Sequence, residues 1–186
     1  WNTGISSYVE KLETDNTASA SMKKQEGSYF DTFFNHTFSY DKRDQRYKTS
    51  DGYISRFTQN IPLISKSYTL TNTYDYKIYN EWLDENIFSI GFYGKTSNSL
   101  AGKDIKLSDR LFLPKSKLRG FESGKVGPKD GADYIGGNYA ASINIATSLS
   151  QILPNSQNTD FSIFFDAGNV WGIDYSSSLS DESKIR

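Results

Sequence analysis

The sequence has no cysteine and a single histidine, His36, among its 186 residues. Without cysteine the chain can form neither a disulfide framework nor a thiolate nucleophile nor a zinc–thiolate site. One histidine is too few for a histidine-based metal cluster, and we interpret His36 as an ordinary strand residue. We find no nucleophile–base pair and no phosphate-binding loop in the sequence. We therefore expect a protein that is not an enzyme and that needs no cofactor and no metal.

The chain also lacks an excess of charge of either sign, because its 21 basic residues nearly balance its 22 acidic residues and the formal net charge is -1. Such a balance argues against a nucleic-acid partner. Long apolar runs are absent too, so a membrane-spanning helix is excluded. The start of the chain shows no signal-peptide pattern. Both ends interrupt a pattern, and we expect the sequence to be a fragment of a longer chain.

Aromatic residues are abundant, at 15% of the chain with 13 Tyr and 12 Phe, although the mean hydropathy is -0.62. A polar average with many aromatic residues fits two classes of protein. One is a soluble β protein, and the other is a transmembrane β-barrel with an apolar outside and a polar inside.

Strict alternation of apolar and polar residues is clearest at residues 67–79. The apolar positions, with Asn72 as the exception, are Tyr68, Leu70, Tyr74, Tyr76 and Ile78. The polar positions include Thr69, Thr71, Thr73 and Asp75. This alternation predicts a strand whose first set faces lipid and whose second set faces the interior of a barrel.

Six further segments alternate in the same way, at residues 1–12, 29–40, 53–61, 87–95, 139–149 and 161–170, although Phe33 breaks the pattern. Several are long enough to cross a bilayer as tilted strands. The connections are mostly long on one side and short on the other, with residues 62–66 as a short exception on the long side. The short connections include residues 80–86 and 153–160, and we expect the Ser-rich segment at 176–180 to be a surface loop. The pattern predicts an all-β fold, part of an antiparallel up-and-down transmembrane β-barrel with about seven strands. A soluble β-sandwich remains an alternative.

The longest connection, residues 96–137, contains the stretch SKLRGFESGKVGP. Arg119 offers a planar fork of donors, Gly120 permits a sharp bend and Phe121 favours burial. Asp166 lies in the apolar run IFFDAGNVW, on the side assigned to the polar interior. A carboxylate there needs a partner, and Arg119 could supply one with two hydrogen bonds if the loop folds inward.

Three motifs in this order, LRGFESGKVGP, YIGGNYAAS at 134–142 and FFDAGNVWG at 164–172, resemble the C-terminal barrel of the bacterial surface antigen family. The turn SYDKRDQRYKTSDGY at 39–53 also resembles a recurrent turn of that family. The resemblance covers essentially residues 1–186 and implies one partial barrel domain, corresponding to strands seven to thirteen of a sixteen-stranded barrel.

The resemblance also implies that the long loop folds into the barrel interior and that acidic residues on the two following strands hold its arginine. The second acidic position falls on Asp166, but the first falls on Ala146, so this chain departs from the family pattern. The implied loop–lumen lock comprises Leu118, Arg119, Gly120, Phe121 and Asp166, with Gly136 and Gly137 as supporting turn glycines.

The function implied by the resemblance is the insertion and folding of β-barrel proteins in the bacterial outer membrane. The implied partners are outer-membrane lipid, nascent β-barrel proteins and the lipoproteins of the assembly machine. A secretion or translocation barrel with the same inward loop is the first alternative. A diffusion porin or surface adhesin is the second, although neither would explain the loop motif.

Overall fold

The computed structural model describes residues 1–83, 86–149 and 161–173. Its elements in chain order are β1 (Asn2–Leu12), α1 (Ala20–Lys23), β2 (Gly27–Asp41), β3 (Gly52–Ile64), β4 (Thr69–Leu83), β5 (Asn86–Ser99), β6 (Lys129–Asp130), β7 (Asp133–Tyr134), β8 (Tyr139–Ser148) and β9 (Ser162–Trp171). Short 3-10 turns lie at Leu107–Asp109 and Lys115–Lys117. The long strands form one antiparallel sheet of seven strands in the order β1-β2-β3-β4-β5-β8-β9, and β6 pairs with β7 in a separate two-stranded sheet.

All seven predicted strands are present, so the predicted all-β, up-and-down arrangement is confirmed, and within the described residues the sheet is open at both edges. Several strands are longer than predicted. Because β4 continues to Leu83 and β5 begins at Asn86, the predicted connection at 80–86 is mostly strand. The long loop is likewise shortened to residues 100–138. The predicted connection at 153–160 and the Ser-rich segment at 176–180 lie outside the described residues.

The sheet has two chemically different faces, and we call the one that carries loop 100–138 the inner face. Lys117 of the loop contacts Asp75, which places the polar set of β4 on the inner face. Leu70, Tyr74, Tyr76 and Ile78 alternate with that set and lie on the outer face. Tyr68 differs from the prediction because it precedes the strand, with a φ of 46°, and its carbonyl accepts a hydrogen bond from the Leu100 amide.

The break in alternation at Phe33 has a local cause. The pairing of β2 with β3 shifts register between Thr32 and Phe33, which is the mark of a β-bulge. The Phe33 ring stacks on Tyr8 of β1 at a centroid distance of 5.9 Å. His36 lies on β2 as predicted, with its ring edge-on to those of its neighbours Phe34 and Phe38.

The apolar core lies between the inner face and the loop. Its buried residues are Tyr93, Leu111, Leu113, Leu118, Val126, Ala140 and Val170. Within the described residues nothing comparable covers the outer face, and Ile163 and Phe165 of β9 are 58% and 64% exposed. Among the described residues, no helix has both the length and the apolar character needed to span a membrane.

Candidate functional site

Leu118 fixes the loop to the inner face just before the arginine. It is 3% exposed and belongs to the buried cluster that also includes Tyr93 of β5 and Val170 of β9. Its burial removes an apolar side chain from water, which stabilises the inward position of the loop. An apolar residue in a polar loop is therefore explained by the surface on which the loop lies.

Arg119 and Asp166 form a two-pronged ion pair. Arg119 Nε donates to Asp166 Oδ2 at 2.7 Å, and a terminal guanidinium nitrogen donates to Oδ1 at 2.6 Å. The Arg119 backbone amide adds a third hydrogen bond to Oδ2 at 2.8 Å. The Asp166 side chain is only 2% exposed, whereas that of Arg119 is 34% exposed. Hydrogen bonding to Asp166 raises the pKa of the Arg119 guanidinium, so the arginine stays charged at any pH of interest.

The Arg119 guanidinium also lies over an aromatic ring. Its central carbon is 3.9 Å from the ring centroid of Phe164 on β9. A guanidinium over a ring face gains a cation–π attraction beside its ion pair. Sequence reasoning missed Phe164, although it stands two residues before Asp166 and therefore on the same face of the strand.

Phe121 is a correction to the sequence prediction, which favoured burial of its ring. The ring is 41% exposed and lines a small cavity formed by loop residues, among them Leu113 and Val126. Gly120 adopts a φ of 83°, a conformation that favours glycine, and the chain bends there as predicted. Of the two apolar residues that flank Arg119–Gly120, it is Leu118 that reaches the core.

Gly136 and Gly137 lie where the loop returns to the sheet. Gly137 exchanges two backbone hydrogen bonds with Leu111, at 2.8 and 3.0 Å. A Cβ on Gly136, which has a φ of 70°, would lie 2.7 Å from the Leu111 carbonyl oxygen. A Cβ on Gly137 would lie 2.4 Å from the carbonyl oxygen of Trp171. Both positions therefore require glycine because of close backbone approach.

Ala146, the position at which the resemblance implies a second acidic partner, pairs with Phe164 across β8 and β9. It offers no carboxylate to the arginine. Lys117 forms an ion pair with Asp75 at 2.6 Å, and its carbonyl accepts a hydrogen bond from Asn144 Nδ2 at 2.9 Å. The sequence predicts that Asp75 faces the interior, but it does not identify Lys117 as its partner.

A strongly alternating antiparallel sheet with an apolar outer face and an inward loop defines the wall of an outer-membrane type of β-barrel. Comparison with protein-family models matches residues 2–186 to the Omp85 superfamily domain. The chain belongs to this superfamily, whose members are bacterial outer-membrane proteins concerned with protein insertion or translocation. A search among curated proteins gave no match.

Proposed function

We propose that this chain is part of a BamA-type barrel, which inserts and folds β-barrel proteins into the bacterial outer membrane. The observation that carries the proposal is the Arg119–Asp166 ion pair, which holds loop 100–138 on the inner face. The ion pair acts as a loop–lumen lock, which keeps the barrel wall in the conformation that client insertion requires. No step of this role needs bond chemistry, so the proposal includes neither enzyme activity nor a cofactor.

The partners follow from the two faces of the sheet. The outer face contacts outer-membrane lipid, since its exposed side chains are apolar and aromatic. Nascent β-barrel proteins are the substrates, and assembly-machine lipoproteins are accessory partners. The combination of GGNYAAS with FFDAGNVWG favours the BamA type over a TamA-like or two-partner secretion barrel.

The test is a double-mutant cycle in the intact protein, reconstituted in liposomes with an unfolded β-barrel client. We expect Arg119→Ala and Asp166→Ala to reduce client insertion to a similar extent, and the double variant to be little worse than either. The reason is that each single change leaves the other charged group without its partner in a confined site. Arg119→Lys should restore only part of the activity, because an ammonium cannot donate in the two-pronged geometry.

Lys125→Ala is the matched control, since Lys125 is a loop cation whose partner, Glu122, is 68% exposed. We expect it to leave client insertion unchanged. Fully additive losses in the Arg119–Asp166 cycle would refute the lock. Efficient export of a soluble passenger protein without client insertion would instead favour a translocation barrel.

A further inference from the structure

Lys106, near the start of the loop, is a buried cation among carboxylates. Its residue is 3% exposed. Its ammonium lies 2.7 Å from Glu10 Oε2, 2.9 Å from Asp31 Oδ2 and 3.8 Å from Asp109 Oδ1. Burial acts to lower the pKa of Lys106, but hydrogen bonds to Glu10 and Asp31 outweigh burial and raise it above the ordinary value. The lysine therefore carries its charge in the folded protein.

Aromatic rings complete the surroundings of this ammonium. It lies 4.9 Å from the ring centroid of Tyr29 and 5.7 Å from that of Tyr8. Asp31 is fully buried, and within the described part of the chain its Oδ1 has no hydrogen-bond partner. The charge of Asp31 is thus compensated chiefly by Lys106, and a buried carboxylate without its cation is strongly destabilising.

Two neighbouring contacts attach the same stretch of the loop to the first hairpin. The Leu107 amide donates to Gln25 Oε1 at 2.7 Å, and Ser108 Oγ bonds Glu10 Oε2 at 2.9 Å. Glu10 belongs to β1 and Asp31 to β2, so the Lys106 contacts lie at one end of the seven-stranded sheet. Asp166 belongs to β9, at the other end.

We propose that Lys106 is a second anchoring residue of loop 100–138, which holds the start of the loop on β1 and β2 while Arg119 holds its apex on β9. The two anchors together fix the loop across the whole inner face, and Lys117 contacts Asp75 of β4 between them. The importance of this anchor for client insertion rests on the proposed function, whereas the anchoring itself does not.

The experiment uses pairs of spin labels in the intact protein, and this chain offers a background free of cysteine. Asp104→Cys with Lys11→Cys reports the Lys106 anchor, because both residues are exposed and flank the Lys106 site. Ser123→Cys with Ser162→Cys reports the Arg119 anchor in the same way. We expect Lys106→Met to broaden the distance distribution of the first pair and to leave that of the second pair narrow. Arg119→Ala should have the reverse effect.

A second variant keeps the test decisive if Lys106→Met does not fold. Lys106→Met with Asp31→Asn removes the unpaired buried charge, so it should fold and should still broaden the first distribution. The proposal is overturned if the distance distribution of the first label pair stays narrow in either Lys106→Met variant. It is also overturned if Lys106→Met and Arg119→Ala each broaden the distributions of both label pairs equally. If the distances change as expected but Arg119→Ala leaves client insertion intact, the Lys106 anchor stands and the proposed function fails.

Discussion

Asp44 organises the turn between β2 and β3 as a single acceptor for several donors. Its carboxylate accepts hydrogen bonds from the Ser50 hydroxyl at 2.7 Å, the Ser50 amide at 3.1 Å and the Asp51 amide at 3.3 Å. The bond from the Ser50 side chain, helped by backbone amides, lowers the pKa of Asp44 below its ordinary value. Its contribution to the stability of the turn is therefore present above the pKa of the unfolded chain and is lost as the pH falls through the lower, folded value.

The prediction concerns amide hydrogen exchange at Ser50 and Asp51. Relative to Asp44→Asn, the wild-type turn should be better protected at neutral pH, because an ionised carboxylate accepts stronger hydrogen bonds than an amide. The difference should persist at the ordinary aspartate pKa and disappear only at more acidic pH, because the pKa of Asp44 is lowered in the folded protein and only a protonated Asp44 resembles asparagine. Measuring both proteins at each pH removes the intrinsic pH dependence of exchange. A ratio that does not change with pH would contradict this account.

Gly137 gives a second prediction at this scale. We expect Gly137→Ala to destabilise the protein by about 1–3 kcal/mol, because its Cβ would overlap the backbone of Trp171 and neither segment can yield easily. Gly4→Ala is the matched control, since a Cβ there has no neighbour within 4 Å among the residues that the structure describes. Urea unfolding in detergent measures both variants. Equal urea midpoints for Gly137→Ala and Gly4→Ala would show that the loop tolerates a side chain at position 137.

Single residues also show how far the sequence alone can go. The pairing of Arg119 with Asp166 could be predicted because strand periodicity fixes the face on which Asp166 lies. The position of Phe121 could not, because it depends on the backbone angle at Gly120, and a loop has no periodicity from which such an angle can be derived.

Asn72, the exception in the alternation of β4, is explained by its neighbours on the adjacent strands. Its Oδ1 accepts a hydrogen bond from Gln59 Nε2 of β3 at 2.5 Å, and its Nδ2 donates to Thr96 Oγ1 of β5 at 3.2 Å. The three residues are paired in register across the outer face. Polar groups that bond one another across strands can face an apolar environment at small cost.

We therefore predict that the single variant Asn72→Leu is less stable than the double variant that carries both Gln59→Leu and Asn72→Leu. The single change leaves the Gln59 amide without its acceptor, at a cost of about 1–3 kcal/mol, whereas the double change removes donor and acceptor together. Unfolding midpoints in detergent or lipid measure the difference. Additive destabilisation by the two substitutions would mean that their hydrogen bond does not matter on this face.

At the scale of the strands, the sequence predicts that each strand exists but does not predict where it ends. Alternation of apolar and polar residues arises where one face of a strand lies in an apolar environment, and it ends where the strand extends beyond that environment. Backbone pairing continues beyond that point, as it does to Leu83 and Asn86 across a register shift. Side chains alone do not report such pairing.

At the scale of the whole molecule, loop 100–138 makes side-chain contacts with strands that are distant from one another in the sequence. Lys106 contacts residues of β1 and β2, whereas Arg119, only a short distance along the chain, contacts β9. Periodicity places the carboxylates on the inner face, yet it does not say which loop cation meets which carboxylate. That choice depends on the path of an irregular loop, and for this reason the Lys106 site had no sequence prediction.

The open edges of the sheet lead to the last prediction. In the described structure β1 and β9 each have one neighbour, so each has a row of backbone groups with no strand partner. The outer face adds exposed apolar side chains, among them Ile143 at 48% and Phe165 at 64%. Residues 1–186 expressed alone should therefore aggregate in water and require detergent to remain dispersed.

Sedimentation velocity of the isolated chain, with and without detergent micelles, is the measurement. Circular dichroism of the micellar sample serves as the control, since a β spectrum shows that the sheet has formed and that aggregation in water is not simple failure to fold. A monodisperse monomer in plain buffer with a sharp thermal transition would contradict the assignment of the outer face to lipid. Such a result would require another surface to cover β1, β9 and the aromatic residues of the outer face.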